Sequence, residues 1–355
     1  MSKRSSWQPI IDKVKKRLSS WKAKTLSFGG RLCLCKAVLG SLSTFYFSLY
    51  RAPKKVLLTL ESLRRRFFWG EKEGSKCINW VAWNKTLGSK KNRGLGIGSL
   101  EALNIAMLGK WWWRERTEAT AIWKEVIRKC CGGNTRYSGG VWKGIKGIGA
   151  HLSELGINLD NLLQQNNHGW VWSIDPSNTY IVGSLRKLID RALLPQPDHE
   201  TYWLKWVPSK VNIHVWSTLR YRLATLDNLT NRGVELSSLV CRSCNAVSES
   251  VDHVIVECSS ARLVSANLWR WVEWWPINCR SVSDFWESID RNNANVISRD
   301  VKRMIAAGFL WILWRQRNEK VFGRASKNEK AMSEEIRSVT FDWFEYRSKC
   351  GYPLY

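Results

Sequence analysis

Apolar positions along this chain recur mostly at helical spacing. Residues 7–50 read as helix, with a break at Gly29-Gly30 ahead of Arg31, and Val56 to Trp69 is a second helical run. That run closes on Arg64, Arg65 and Arg66, followed by Phe67, Phe68 and Trp69. A loop rich in Gly, Lys and Asn spans Gly88 to Gly98, and a helix follows from about Leu100 through Trp111, Trp112 and Trp113. Residues 132–150 are rich in glycine and read as a linker.

Strand signals are confined to one region. Trp170 to Ile174 is strand-like, Asp175-Pro176-Ser177-Asn178 reads as a turn, and Thr179 to Val182 reads as a second strand. Ser184 is placed to cap a helix beginning at Leu185. Pro208 opens a helix carrying Val211, Val215, Trp216 and Leu219, and a shorter helix ends near Gly233. Leu268, Trp271, Val272 and Trp275 fall at i, i+3, i+4 and i+7, an aromatic-aliphatic face better explained by packing than by base stacking. Residues 301–355 hold two more helices. The predicted class is mainly α with a small β element. The longest apolar stretch, Met304 to Trp314 interrupted by Gly308, is shorter than the ~20 residues a bilayer span needs, so no membrane segment is expected.

Charge adds a division that the apolar pattern does not show. The formal net charge is +26, and residues 1–150 carry 31 basic against 8 acidic side chains, while 151–355 carry 25 against 22. A cationic first half beside a near-neutral second half points to a polyanion, RNA or DNA, as partner of the first. Arg64, Arg65, Arg66, Lys90, Lys91 and Arg93 are the expected phosphate contacts. No protein partner can be named from the sequence.

The N-terminus opens MSKRSSW and turns polar at once, so no secretion signal is read and a reducing interior, nucleus or cytoplasm, is expected. Most of the 10 cysteines are scattered, but Cys241, Cys244, His253 and Cys258 form the pattern C-x2-C-x8-H-x4-C. Three thiolates and an imidazole satisfy tetrahedral zinc and leave no open position, so the expected cofactor is a structural zinc ion. A redox role for Cys241 and Cys244 lacks the βαβ setting it requires. His214, within an apolar helix, reads as a satisfied core residue.

The run Pro208-Ser-Lys-Val-Asn-Ile-His-Val-Trp216, then Arg222-Leu-Ala-Thr225, Asn228-Leu, Arg232-Gly-Val, the four ligands and Leu268-Trp269, resembles the reverse transcriptase zinc-binding domain of plant LINE-type, non-LTR retrotransposon proteins. Upstream, Trp21-Lys-Ala-Lys-Thr-Leu-Ser-Phe-Gly-Gly-Arg31, Arg65-Arg-Phe-Phe-Trp-Gly70 and Gly94-Leu-Gly-Ile-Gly-Ser-Leu100 resemble the stretch that follows the polymerase palm. Downstream, Trp314-Arg-Gln-Arg-Asn-Glu-Lys-Val-Phe322 resembles the usual tail. The resemblance implies a thumb-like basic region over 1–131, a shortened linker over 132–169, the zinc-binding domain over 170–275 and a helical tail over 276–355. One departure stands out. A Trp-Asp-rich stretch usual between the basic part and the zinc module is missing, since Leu163-Gln-Gln-Asn-Asn-His168 runs almost directly to Trp170.

The family's polymerases hold two Mg²⁺ ions with paired aspartates. Residues 1–150 contain one aspartate, Asp12, and no aromatic-x-Asp-Asp motif occurs in the chain. The expectation is therefore a nucleic-acid-binding, zinc-containing C-terminal part of a reverse transcriptase with no catalytic residues of its own. The alternative is a domesticated protein-interaction module in which zinc only holds the fold.

Overall fold

The computed structural model describes residues 4–18, 26–42, 44–71, 77–90, 94–118, 120–131, 141–166, 169–195, 203–273, 279–291 and 296–347. They fall into two compact units, 1–201 and 202–355. The protein is mainly α, with one two-stranded sheet among the described residues.

In the first unit, helices α1 (Gln8–Arg17), α2 (Phe28–Leu42), α3 (Thr44–Leu49) and α4 (Lys54–Trp69) pack together. Aromatic rings join them, with Trp7 against Phe47 and Phe28 against Phe68. The expected break at Gly29-Gly30 is displaced. Both glycines sit in the first turn of α2, and the Ser27 hydroxyl accepts the Gly30 N–H at 3.2 Å. A first turn has no intrahelical partners for its N–H groups, so poor helix formers are tolerated there once a side chain caps it.

The short helix α5 (Trp83–Leu87) is followed by the glycine-rich loop, which turns back on it: the N–H groups of Leu95, Gly96 and Gly98 donate to the carbonyls of Thr86, Gly88 and Leu87. Leu95 and Ile97 are buried, so the loop is a packed junction and not an exposed turn. Helix α6 (Leu100–Thr117) begins with a Ser99 cap on the Ala102 N–H. Around α6 the expected linker is corrected in part. Residues 132–140 lie outside the described residues, but α8 (Val141–Lys146) and α9 (Ile148–Glu154), which follow α7 (Ile122–Cys131), are helical. Trp142, Ile145, Ile148 and Leu152 recur at helical spacing and enter one core with Ile105, Leu108 and Trp112 of α6. Four buried apolar side chains outweigh the helix-breaking tendency of the intervening glycines.

The strand assignment is also corrected. The sheet pairs β1 (Leu163–Asn166) antiparallel with β2 (Gly169–Trp172), Leu163 opposite Trp172. Part of the expected linker thus supplies a strand. Thr179 to Val182 forms none, because Tyr180 turns inward instead. Its ring lies 4.8 Å from that of Trp172, and its hydroxyl donates to the Ala106 carbonyl of α6. Helix α10 (Val182–Leu193) then packs along α6, with Ile181 at its N-cap and Ser184 one turn inside, donating to the Ile181 carbonyl. Close approach is possible because α6 carries Gly109, where a Cβ would meet the Tyr180 hydroxyl at 2.5 Å and Leu185 Cδ2 at 2.9 Å.

The second unit is built on one core. After α11 (Ser209–Thr218) and the short α12 (Leu226–Thr230) come α13 (Ser259–Trp271), α14 (Val282–Arg291), α15 (Val296–Val321) and α16 (Glu329–Arg347), and the core joins α11 to α13, α14, α15 and α16. Residues on each side of the expected 275/276 boundary, including Val264, Leu268, Phe285, Phe309 and Ile336, belong to the same cluster. The expected separate tail is therefore part of the zinc module's core. The expected 169/170 boundary likewise moves to 201/202, because α10 completes the first unit. The 268–275 face is narrower than its spacing implies: Leu268 and Trp269 are buried, Trp271 is exposed, and Trp275 lies outside the described residues.

His214 of α11 is buried, as its apolar setting implied, and donates its Nε2–H to the Leu310 carbonyl at 3.1 Å. Burial pushes its pKa down from 6.5 to about 4. A base with a depressed native pKa leaves the unfolded chain binding more protons, so the stability it allows is intact above about pH 6.5 and declines toward pH 4. The full loss is roughly 3 kcal/mol, from ~1.4 kcal/mol per pKa unit. His214→Gln keeps an N–H donor but does not titrate. Denaturant unfolding of the second unit should show the stability difference between wild type and H214Q shrinking as pH falls from about 7 to 5. A difference that stays constant across that range excludes His214 as a source of acid sensitivity.

Candidate metal centre

The four predicted ligands come from two pieces of local structure. Cys241 and Cys244 sit at the end of a small hairpin closed by an antiparallel bridge between Val240 and Ser248 and by the Glu249 N–H donating to the Leu239 carbonyl at 2.8 Å. Within its turn the Asn245 N–H donates to the Cys241 carbonyl at 2.8 Å, and the Ser243 N–H points at Cys241 Sγ at 3.4 Å. Asn245 takes a φ of +54°, the left-handed conformation that Asn adopts more readily than most residues. The C-x2-C spacing thereby turns both sulfurs to one side.

His253 and Cys258 lie at opposite ends of a π-turn, His253–Glu257, closed by the Cys258 N–H donating to the His253 carbonyl at 2.7 Å. Five residues apart on a regular α-helix, two side chains diverge by roughly 140°. The wider i→i+5 turn brings them back to nearly the same face. Cys258 is also the N-cap of α13, so its sulfur faces the free N–H groups and positive end of that helix. A π-turn between these two ligands is not visible in a sequence pattern.

All four ligand atoms lie within 4.8 Å of one another, and Cys244 Sγ is 3.3 Å from His253 Nε2. Cys241, His253 and Cys258 are buried and Cys244 is half-buried. Tetrahedral coordination at a metal–sulfur distance of about 2.3 Å sets sulfurs roughly 3.8 Å apart, so the observed cluster needs only a small contraction. Three sulfurs and one nitrogen suit a soft or borderline ion and leave no protein-ligated position open. The Cys241 thiol is held below its usual value, chiefly by a hydrogen bond from Cys258, whose own thiol is pushed up as the donor.

The sequence reading missed the groups that hold this centre in place. Glu249, between the two ligand pairs, has no solvent exposure, and Arg317 of α15 is 4% exposed. The Arg317 Nε donates to Glu249 Oε1 and Oε2 at 3.1 and 3.0 Å, its Nη2 donates to Oε1 as well, and Oε1 also accepts the Leu226 N–H of α12 at 3.0 Å. Arg317 is braced by the Trp314 ring at 4.9 Å and by Asn318. The signal for it was present in the Trp314-Arg-Gln-Arg-Asn318 run, without any indication of its partner.

One of the predicted phosphate contacts is buried. Arg64 is 2% exposed and is withdrawn as a contact: its Nη1 bonds Glu61 at 3.1 Å and the Gly98 carbonyl at 3.2 Å. Burial of that arginine holds α4 against the glycine loop. Arg65 is half-buried, and Arg66 is exposed but paired with Glu71 at 3.0 Å. Lys90 is exposed, and Lys91 and Arg93 lie outside the described residues.

Breaking a buried charge pair on one side typically costs about 3–5 kcal/mol, since the remaining charge is left without a partner. Arg317→Met and Glu249→Gln should each destabilise the second unit by an amount of that order, and the double variant by less than the sum. Both single variants should also lose metal to a competing chelator sooner than wild type. Unchanged chelator competition in both would show that the metal site is held without the pair.

Residues 180–264 match the family described as zinc-binding in reverse transcriptase. A ribonuclease H-like protein of Arabidopsis thaliana is 38% identical over 120 residues, 34% of this chain and 19% of that protein. An uncharacterized mitochondrial protein of Arabidopsis thaliana is 35% identical over 71 residues, 20% of this chain and 46% of that protein. The matches thus span less than half of each relative's length. The matched segment, residues 180–264, contains all four residues of the cluster and is similar to the zinc-binding domain of reverse transcriptase.

Proposed function

We propose that this chain is a nucleic-acid-binding part of a retrotransposon-type reverse transcriptase, stabilised by a structural zinc ion and without polymerase chemistry of its own. Zinc is favoured over other ions by the Cys3His donor set and by the zinc-binding family that the segment matches. A closed four-ligand shell on a buried core gives zinc a folding role, holding the hairpin and the π-turn together.

The observation that carries the nucleic-acid reading is the charge of the first unit. Residues 1–201 hold 34 basic and 14 acidic side chains, against 22 and 16 in residues 202–355. Lys13, Lys15, Lys16 and Arg17 of α1, with Lys54 and Lys55 of α4, are exposed. They replace Arg64 in the set of candidate phosphate contacts. The absence of polymerase chemistry rests on the sequence, with its single aspartate before residue 151 and no paired aspartates. The second reading, a protein-binding role for the zinc module, is favoured by Leu239, Val240 and Val247, all exposed on the ligand hairpin.

Three kinds of measurement test this proposal. The full chain should contain one zinc per molecule, and chelation should open residues 235–260 to proteolysis; cleavage there that ignores chelation argues against a structural ion. Binding to single strands should weaken with salt at a log–log slope of about −0.7 per phosphate contacted. Neutralising Lys13, Lys15, Lys16 and Arg17 together should make that slope shallower, by up to roughly three units if all four touch phosphate. An unchanged slope moves the binding surface off α1. Primer extension with Mg²⁺ or Mn²⁺ should be undetectable, and incorporation by protein free of contaminating polymerase would refute the non-catalytic reading.

A further inference from the structure

The second unit has a groove that neither its fold nor its metal centre requires. It encloses about 410 Å³ between α13 and α16, lined by Asn267, Arg270 and Trp271 from one helix and by Lys330, Glu334 and Arg337 from the other. Trp271 is 48% exposed, whereas its neighbour Trp269 is 2% exposed in the core. Among the described tryptophans only Trp170 and Trp271 are exposed, and Trp271 stands outside the side chains packed on the second unit's core. Its ring therefore contributes little to holding the two helices together.

What surrounds Trp271 is polar and cationic. Arg337 lies over the indole at 5.4 Å and is fixed there by donating to the Asn267 carbonyl and to Glu334, each at 3.1 Å. Arg337 is thus committed, while Arg270 and Lys330 are exposed and make no ion pair among the described residues. A braced aromatic face flanked by two uncommitted cations matches a ligand that alternates flat π-systems with anionic links. Single-stranded nucleic acid has that chemistry, and a paired duplex does not offer a free base face without being opened.

We infer that this groove is a single-strand binding site, in which a base stacks on Trp271 and the adjoining phosphates meet Arg270 and Lys330. The site rests on the nucleic-acid reading above, extends it to a second surface, and assigns to the near-neutral unit a contact driven by stacking more than by charge. Glu334 is neutralised locally by Arg337 and leaves the groove net positive.

The test uses the full, zinc-loaded chain and a short labelled oligouridylate, with salt high enough to weaken contacts made through phosphate alone. Trp271→Ala should weaken binding about 5- to 100-fold, the range expected for loss of one stacked base, and leave the salt slope unchanged. Trp271→Phe should retain most of the affinity, and unchanged thermal melting of both variants separates stacking from folding. Arg270→Ala with Lys330→Ala should instead flatten the slope by about 1.4, two single-strand phosphates at ~0.7 each. An abasic strand of the same length should bind wild type and W271A alike. Equal affinity of wild type and W271A for the uridylate overturns the site, as does an equal loss on the abasic strand. An acidic peptide that displaces the strand from wild type but not from W271A would also overturn it, in favour of a protein ligand. The outcomes separate the two readings: a W271A defect with no effect of neutralising α1 sinks the basic-unit surface alone, and the reverse sinks the groove alone.

Discussion

Glu249 has no contact with solvent, and a carboxylate in that position must be matched or protonated. Arg317 and the Leu226 N–H match it, so three stretches of chain distant in sequence converge on one side chain. That convergence fixes where the hairpin stands relative to α12 and α15, and the hairpin carries two of the four ligands. Replacing a buried pair with apolar groups is often neutral for stability, so its value here lies in placement. A wholly apolar contact would allow the hairpin to slide; a bidentate pair with a third hydrogen bond does not. The ligand cluster and the C-terminal helices are in this sense one structure. The family match, which stops at residue 264, covers the ligands without the helix that positions them.

A comparable junction organises the first unit. The glycine loop presents its carbonyls and N–H groups to side chains from two helices. Arg64 of α4 reaches the Gly98 carbonyl, Arg186 of α10 reaches the Ile97 carbonyl at 3.0 Å, and Asp190 accepts the Ser99 N–H at 3.0 Å. Gly98 has a φ of +72°, and a Cβ there would meet the Arg186 guanidinium at 2.4 Å. The loop needs glycine for backbone conformation and for space alike. The family match begins at Tyr180, yet Tyr180 and α10 belong to the first unit, so the boundaries of the matched segment and of the compact units differ.

Much of this was legible from residue patterns. The helical runs at 54–69, 100–117 and 209–218 follow from apolar spacing, and the four ligands follow from donor type and spacing. Misreadings have a common cause, which is that local propensity was overruled by a distant partner. Glycine-rich 141–150 is helical because Trp142, Ile145, Ile148 and Leu152 find α6. Thr179 to Val182 has strand composition, but Tyr180 gains more by inserting beside Gly109 than by pairing. Arg64 looked like part of a basic patch because, although Glu61 lies one helical turn before it, nothing local marks the Gly98 carbonyl that completes its burial. Buried ion pairs between distant segments have no sequence period, so Glu249 and Arg317 could be suspected only from the tail motif.

The two units differ in how charge and aromatic surface are used, and this bears on what each can recognise. In the first unit the indoles of Trp111, Trp123 and Trp142 pack against one another edge-on or tilted, with Arg114 over the first two. These three indoles are consumed by packing and give the exposed lysines of that unit no stacking platform. Such a surface reads backbone density and loses affinity steeply with salt. The second unit has little excess charge, but it leaves Trp271 outside the core beside two uncommitted cations. A ligand held there by stacking would need unpaired bases and be less sensitive to ionic strength. A polyanion with single-stranded stretches is the one class of ligand that would use both kinds of surface, and a uniform duplex would engage only the first.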